Sequence, residues 1–183
     1  NHSVVYQFSE NVFGSLTPAD LTVFNQTTGQ TIPASAMALD YGANNTATFT
    51  FPGQPNALLP DGNYQITLNA SGVADAAGNP LPANNVISTF VLTADANRNK
   101  TVDTVDFNTL TTNFNKAGQN FSQGNFDYSA GGSIDSIDFN LLASRFGATL
   151  PAAAPRPLSL PVFVKGATPL TFLSAAPTNS ADL

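Results

Sequence analysis

Apolar side chains in the first half of the chain recur at every second position. Val4, Tyr6 and Phe8 share a parity, as do Ala47, Phe49 and Phe51, and Tyr64, Ile66 and Leu68. Each run therefore presents one apolar face, the period of a half-buried strand. Further strands are expected over 20–25, 36–41 and 86–92. The gaps carry turn chemistry, Thr28-Gly29, Asp61-Gly62 and Ala77-Gly78-Asn79-Pro80, which supplies left-handed or proline-fixed backbone between the runs. Short antiparallel strands at this spacing predict a β-sandwich.

Beyond residue 93 the period changes. Phe107, Leu110 and Phe114 stand at i, i+3 and i+7, the core-facing stripe of a helix beginning at Asp106. A shift of 32 residues lays "VDTVDFNTLTTNF" (102–114) over "IDSIDFNLLASRF" (134–146). Acids match acids and apolar positions match apolar positions, which marks an internal duplication. Val102 and Ile134, equivalent under the shift, are expected to pair in a short β-bridge.

Charge sharpens this boundary. Residues 1–94 hold no Lys or Arg and five acids, whereas six of the twelve acids fall between Asp95 and Asp138. The formal net charge of −6 leaves no basic cluster to neutralise phosphates, which argues against nucleic acid and anionic membrane and favours cations as partners. There is no cysteine and no apolar run of membrane length. Low charge with abundant Thr and Asn reads as an exported, secreted or cell-surface bacterial protein. The chain reads as a processed product or an excised piece of something longer.

The stretch "DANRNKTVDTVD" (95–106) spaces Asp95, Asn97, Asn99, Asp103 and Asp106 at 1, 3, 5, 9 and 12, the ligand spacing of a calcium loop that leads into a helix. Calcium takes six to eight oxygens, so a loop binding it must turn several side chains and one carbonyl inward. Asp95, Asn97, Asn99, the Thr101 carbonyl, Asp103 through water and a bidentate Asp106 form the expected first site. The second is built from Asp127, Ser129, Ser133, Asp135 and Asp138. Its register has two solutions. Counting back from Asp138 makes Asp127 the first ligand, while a two-residue insertion around Ala130-Gly131 makes Asn125 the first.

Two family resemblances follow from these residues. "VVYQFSENV", "LLPDGNYQITL" (58–68) and "SGVADAAGNPL" (71–81) resemble bacterial immunoglobulin-like domains, over roughly residues 3–92. The resemblance implies a spacer or adhesive module, here without the strand that normally precedes "FSE". Six strands are counted, about one short of the roughly seven of such a domain. Asp75 and Asn79 either cap the tight turn or form a minor cation site. The duplicated half resembles a type I dockerin, the calcium-dependent module that docks onto cohesin domains, over about residues 93–148. That resemblance implies partner contacts at Thr104 and Val105 in the first copy and Ser136 and Ile137 in the second. Otherwise Val105 and Ile137 pack in the core. Lys100 replaces the glycine usual at the sixth loop position, which costs about 1 kcal/mol in a left-handed backbone. With Arg98 it lowers the expected calcium affinity toward about 10⁻⁴–10⁻³ M.

The fold class expected is a mainly β N-terminal immunoglobulin-like sandwich (1–93), a small α-helical dockerin-like module with two calcium loops (94–150), and a Pro/Ala-rich tail (151–183). In the tail Leu158, Leu160, Val162 and Val164 alternate, so residues 158–173 are expected either to complete the sandwich by strand addition or to form a linker. His2 is the one histidine and Glu10 the one glutamate. With no cysteine, this excludes thiol and histidine-based catalysis, and no enzyme is expected. Three functions fit: a non-catalytic calcium-binding module that attaches a secreted or surface protein to a cohesin-like domain or to copies of itself, a structural subunit of a calcium-stabilised fibre or layer, or the accessory tail of a polysaccharide-degrading enzyme.

Overall fold

The structure, a computed structural model, describes residues 2–152 and 175–176. The described residues form two compact units: residues 2–59 and 64–89 with Ala175–Ala176 in the first, Pro60–Asn63 and Phe90–Ala152 in the second.

The first unit is built on two four-stranded sheets. Strands β1 (Ser3–Phe8), β2 (Leu21–Asn25), β3 (Gln30–Ile32), β4 (Ala38–Gly42), β5 (Thr46–Thr50), β6 (Gly62–Leu68), β7 (Asn85–Val91) and β8 (Ala175–Ala176) order as β4-β5-β1-β8 and β3-β2-β6-β7. β1 runs antiparallel to β5 with Val4 opposite Phe49, and β2 antiparallel to β6 with Val23 opposite Ile66. The alternation read from sequence is the burial pattern found: Val4, Tyr6 and Phe8 on one sheet and Leu21, Val23, Ile66 and Leu68 on the other are all buried. The architecture is thus mainly β and immunoglobulin-like, with two helices further along the chain.

β3 was not anticipated. It has three residues, of which Ile32 alone is buried, so no alternation announces it. Its position is set by the β2 turn, where the Asn25 carboxamide oxygen accepts from the Thr27 and Thr28 N–H groups and Gly29 takes φ +71°. His2 is buried, and its Nδ1 accepts from the Leu59 N–H. Among the described residues the buried Tyr6 hydroxyl has no hydrogen-bond partner. The strand expected over 158–173 lies outside the described residues; Ala175–Ala176 pair antiparallel with Gln7–Phe8.

The second unit contains α1 (Thr104–Asn113) and α2 (Ser136–Arg145) around a core of Leu92, Ala94, Ala96, Val102, Leu110, Phe126, Ile134 and Leu142. α1 starts two residues before the expected Asp106, because the Asp103 carboxylate caps it and Asp106 reaches back to the Asp103 N–H. Of the expected stripe only Leu110 is buried; Phe107 is 36% and Phe114 41% exposed. The short helix presents a narrow inner face, Asp106 and Leu110 at i and i+4, which leaves the two rings on its flank. No helix among the described residues is long and apolar enough to cross a membrane.

Candidate metal centre

In the first loop each side chain at the expected ligand positions has an oxygen that accepts a backbone N–H of the loop itself. Asp95 accepts from Asn99 and Lys100 at 3.1 and 2.8 Å, Asn97 from Asn99 at 3.0 Å, and Asn99 from Thr101 at 2.8 Å. Asp106 ties the two ends of the loop, accepting from Asn97 and Asp103. These bonds fold the chain back on itself. Asp103 also caps α1 by accepting from the Val105 N–H at 2.7 Å.

Part of this network recurs in the second loop, under one alignment of the two loops. Asn125 accepts from the Ser129 N–H, as Asp95 does from Asn99, and Asp127 accepts from Ser129, as Asn97 does from Asn99. Asp138 accepts from Asp127 and Asp135, as Asp106 does from Asn97 and Asp103. Backbone signs agree. Left-handed φ angles fall at Ala94 and Gly124, Arg98 and Tyr128, Lys100 and Gly132, and Asn115 and Gly147. Asn125 therefore occupies the first position, Asp127 the third, Ser129 the fifth and Ser133 the seventh, with Ala130 and Gly131 inserted before Gly132. The repeated bonds follow the alignment with the two-residue insertion rather than the one that counts back to Asp127.

Lys100 holds the left-handed backbone of the sixth position at φ +71°. Its Nζ does not turn into the loop: it donates to the Asn63 Oδ1 at 2.9 Å and stands 5.1 Å from the centre of the Phe90 ring. Asp95, Asp106 and Asp138 are buried, and among the described residues none of them forms an ion pair; the Arg145 guanidinium pairs with Asp61 instead. Burial pushes the Asp95 carboxyl above its ordinary range, and the charge of Asp106 adds to that. Among the described residues no three Asp, Glu or His side chains converge closely enough to hold a metal by themselves. Any site here depends on Asn and Ser oxygens and on carbonyls as well, the mixed donor set that a hard cation accepts.

Val102 and Ile134 do not bridge to each other. Val102 accepts from the Gly147 N–H and donates to the Ala148 carbonyl, while Ile134 accepts from the Asn115 N–H and donates to the Lys116 carbonyl, all four bonds at 2.9 Å. The two sets superpose under the 32-residue shift. Each loop is thus clamped by the segment that leaves the other copy's helix.

Thr104, Val105, Ser136 and Ile137 are exposed, Val105 at 51% and Ile137 at 53%. The alternative that Val105 and Ile137 pack in the core is overturned, since both lie on the helix side opposite Leu110 and Leu142. Phe107, Phe114, Phe139 and Phe146 are also exposed. Sequence reasoning assigned Phe107 and Phe114 to the core; the structure leaves both exposed, as it does their equivalents Phe139 and Phe146.

In the first unit Asp75 caps its turn, accepting from the Ala77 and Asn79 N–H groups and from the Asn79 amide. Glu10 lies against it. Its carboxyl is pushed above the ordinary range by the hydrogen bond with Asp75, while the Asn79 donors hold Asp75 below it.

Comparison with curated proteins finds no match, and comparison with solved structures finds none. The family model described as a bacterial Ig-like domain matches residues 1–93, which span the strands β1 to β7. The chain belongs to the bacterial Ig-like domain family, whose members are common in surface and extracellular proteins.

Proposed function

We propose that this chain is a non-catalytic calcium-binding attachment module of a secreted or cell-surface protein. The observation that carries the reading is the pair of loops sharing a hydrogen-bond pattern, with Asp95 and Asp106 buried in the first and Asp138 in the second and no Lys or Arg paired with them. Calcium would be held by Asp95, Asn97, Asn99, Thr101, Asp103 and Asp106 in one loop and by Asn125, Asp127, Ser129, Ser133, Asp135 and Asp138 in the other. Bound there, the ion supplies the positive charge these carboxylates lack and cross-links both ends of each loop. The exposed Thr104, Val105, Ser136 and Ile137 supply two equivalent contact surfaces for a cohesin-like domain, and the neutral helix faces suit a protein partner rather than nucleic acid.

Calorimetric titration of the full chain with calcium, paired with melting in calcium and in chelator, tests the first half. At free calcium near 100 times the dissociation constant one site contributes about 2.7 kcal/mol. Two binding events and a calcium-raised transition are expected; no heat and superimposable melting curves refute the reading. Immobilised cohesin-like domains test the second half, with Val105→Asp and Ile137→Asp together abolishing capture.

A second reading, a structural subunit assembled by strand addition, is favoured by the pairing of Ala175–Ala176 with β1. Solution mass at rising concentration, with and without residues 151–183, distinguishes it. A polymer that disappears with the deletion supports an exchange between copies.

A further inference from the structure

We infer that Asn63, which lies outside both loops, is a positioning residue for the first calcium site: with Phe90 it anchors the Lys100 ammonium and keeps that charge out of the loop. The inference rests on the calcium reading above and names what tunes affinity at one of its two sites. Pro60–Asn63 belong to the second unit although they precede the rest of it in the chain. The Lys100 Nζ donates to the Asn63 Oδ1 at 2.9 Å, across 37 residues of sequence, and stands 5.1 Å from the centre of the Phe90 ring. Asn63 is 2% exposed, and its Nδ2 donates to the Pro151 carbonyl at 2.9 Å, so both ends of the carboxamide are held. Two residues earlier, Asp61 accepts from the Thr93 N–H and hydroxyl, both at 2.8 Å, and pairs with the Arg145 guanidinium at 3.0 Å. The segment carrying Asn63 is thereby fixed to the chain before the first loop, at Thr93, and to the chain after it, at Arg145 and Pro151.

A cation at the sixth position works against calcium unless it is led away. The Lys100 N–H itself donates to the Asp95 Oδ2 at 2.8 Å, so the residue starts beside the first ligand. Its four-carbon stem is long enough to return the ammonium to that carboxylate. Placed there, the ammonium would occupy oxygens that calcium needs and would repel the ion; at roughly 8 Å in water one unit charge changes the binding of a divalent ion by roughly three- to tenfold. A carboxamide oxygen and an aromatic face satisfy an ammonium without using a carboxylate, and a preformed anchor holds the long side chain in that one direction. The second loop has no such need, because Gly132 at the equivalent position carries no side chain. Arg98, the other cation of the first loop, is exposed and forms no ion pair among the described residues. The anchor is therefore particular to the lysine.

The test is a double-mutant cycle on the full chain, with calcium affinity measured by calorimetry and assigned to the first loop through the Asn99 and Thr101 amide resonances. Asn63→Ala is expected to weaken calcium binding at the first loop by about three- to tenfold, while Lys100→Met binds at least as tightly as the wild type. In the Lys100→Met background Asn63→Ala is expected to change the affinity by less than about twofold, and in the Arg98→Met background to keep its full effect. A loss that persists with Lys100→Met makes Asn63 a structural support only and overturns the inference. So does Asn63→Ala with unaltered affinity. Absence of any calcium binding by the wild type refutes instead the reading on which the inference rests. If Asn63→Ala does not fold, Phe90→Leu, which keeps apolar bulk and removes the ring face, runs the same cycle with the same expected signs.

Discussion

Gly132 stands at the sixth position of the second loop with φ +61°, and a Cβ built there would run into the backbone of Gln119, meeting its carbonyl oxygen at far less than contact distance and its nitrogen at 2.6 Å. Gly131, beside it, also has a positive φ, +92°, but a Cβ there meets nothing within 4 Å. The two glycines thus separate backbone strain from steric room. Gly131→Ala carries only the left-handed penalty, about 1 kcal/mol. Gly132→Ala carries the same penalty plus overpacking against main chain that cannot rotate away, about 1–3 kcal/mol more, for a total of about 2–4 kcal/mol. It also forces apart the Gln119 N–H and Gly132 carbonyl that clamp the loop. For a unit of this size the loss lowers the melting temperature by about 10–30 °C, against about 4–8 °C for Gly131→Ala. Thermal unfolding of both variants in saturating calcium, followed by a probe in the second unit such as Phe126 or Tyr128 amides, reads the difference. If the two variants melt within about 2 °C of each other, the close approach of Gln119 to Gly132 is wrong. The equivalent Lys100 shows the contrast from the other side, since its side chain has room to reach Asn63 and Phe90.

Leu142→Ala empties a buried core position and is expected to cost about 2–5 kcal/mol, whereas Phe139→Ala, on an exposed flank, costs under about 1 kcal/mol; urea unfolding compares them. Tyr6→Phe removes a buried hydroxyl that has no partner and is expected to stabilise the first unit by about 1 kcal/mol, and a loss of stability on denaturation would mean that the hydroxyl is bonded. Glu10 is pushed up by Asp75, so the stability it contributes is present while it is protonated and lost as pH rises through its raised folded value; Asp75, held down by Asn79, contributes stability that is lost as pH falls through its lowered one. Glu10→Gln should therefore raise the melting temperature near neutral pH and leave it unchanged in acid, and equal shifts across the pH range would contradict the contact.

How far the sequence carried the reading depends on the range of the forces involved. The strands containing Val4-Tyr6-Phe8 and Tyr64-Ile66-Leu68 were legible because a period of two is a local property that the pleat turns directly into one buried face. β3 was not, because three residues with one buried side chain carry no period. The turn of the first loop was legible for a similar reason: its Asx side chains bond to N–H groups two to five residues away, and spacing alone decides which they reach. The second loop was ambiguous in sequence because an insertion shifts the count, and only its bonds and its left-handed positions placed Asn125 first.

Two features had no local signature at all. The apolar spacing of Phe107, Leu110 and Phe114 describes one helix, but which part of that stripe is covered depends on how much surface the neighbouring helix offers, and two ten-residue helices cover only Leu110 and Leu142. The partner of Val102 was equally undetermined. The duplication showed that Val102 and Ile134 are equivalent, and equivalent residues across a pseudo-twofold axis can either meet at the axis or each meet a third segment. The chain alone therefore established two repeated loops, their acids and the alternating strands. The tertiary packing decided that each loop is closed by the other copy's exit segment, because long-range backbone pairing is chosen by which surfaces the core brings together and not by any spacing along the chain.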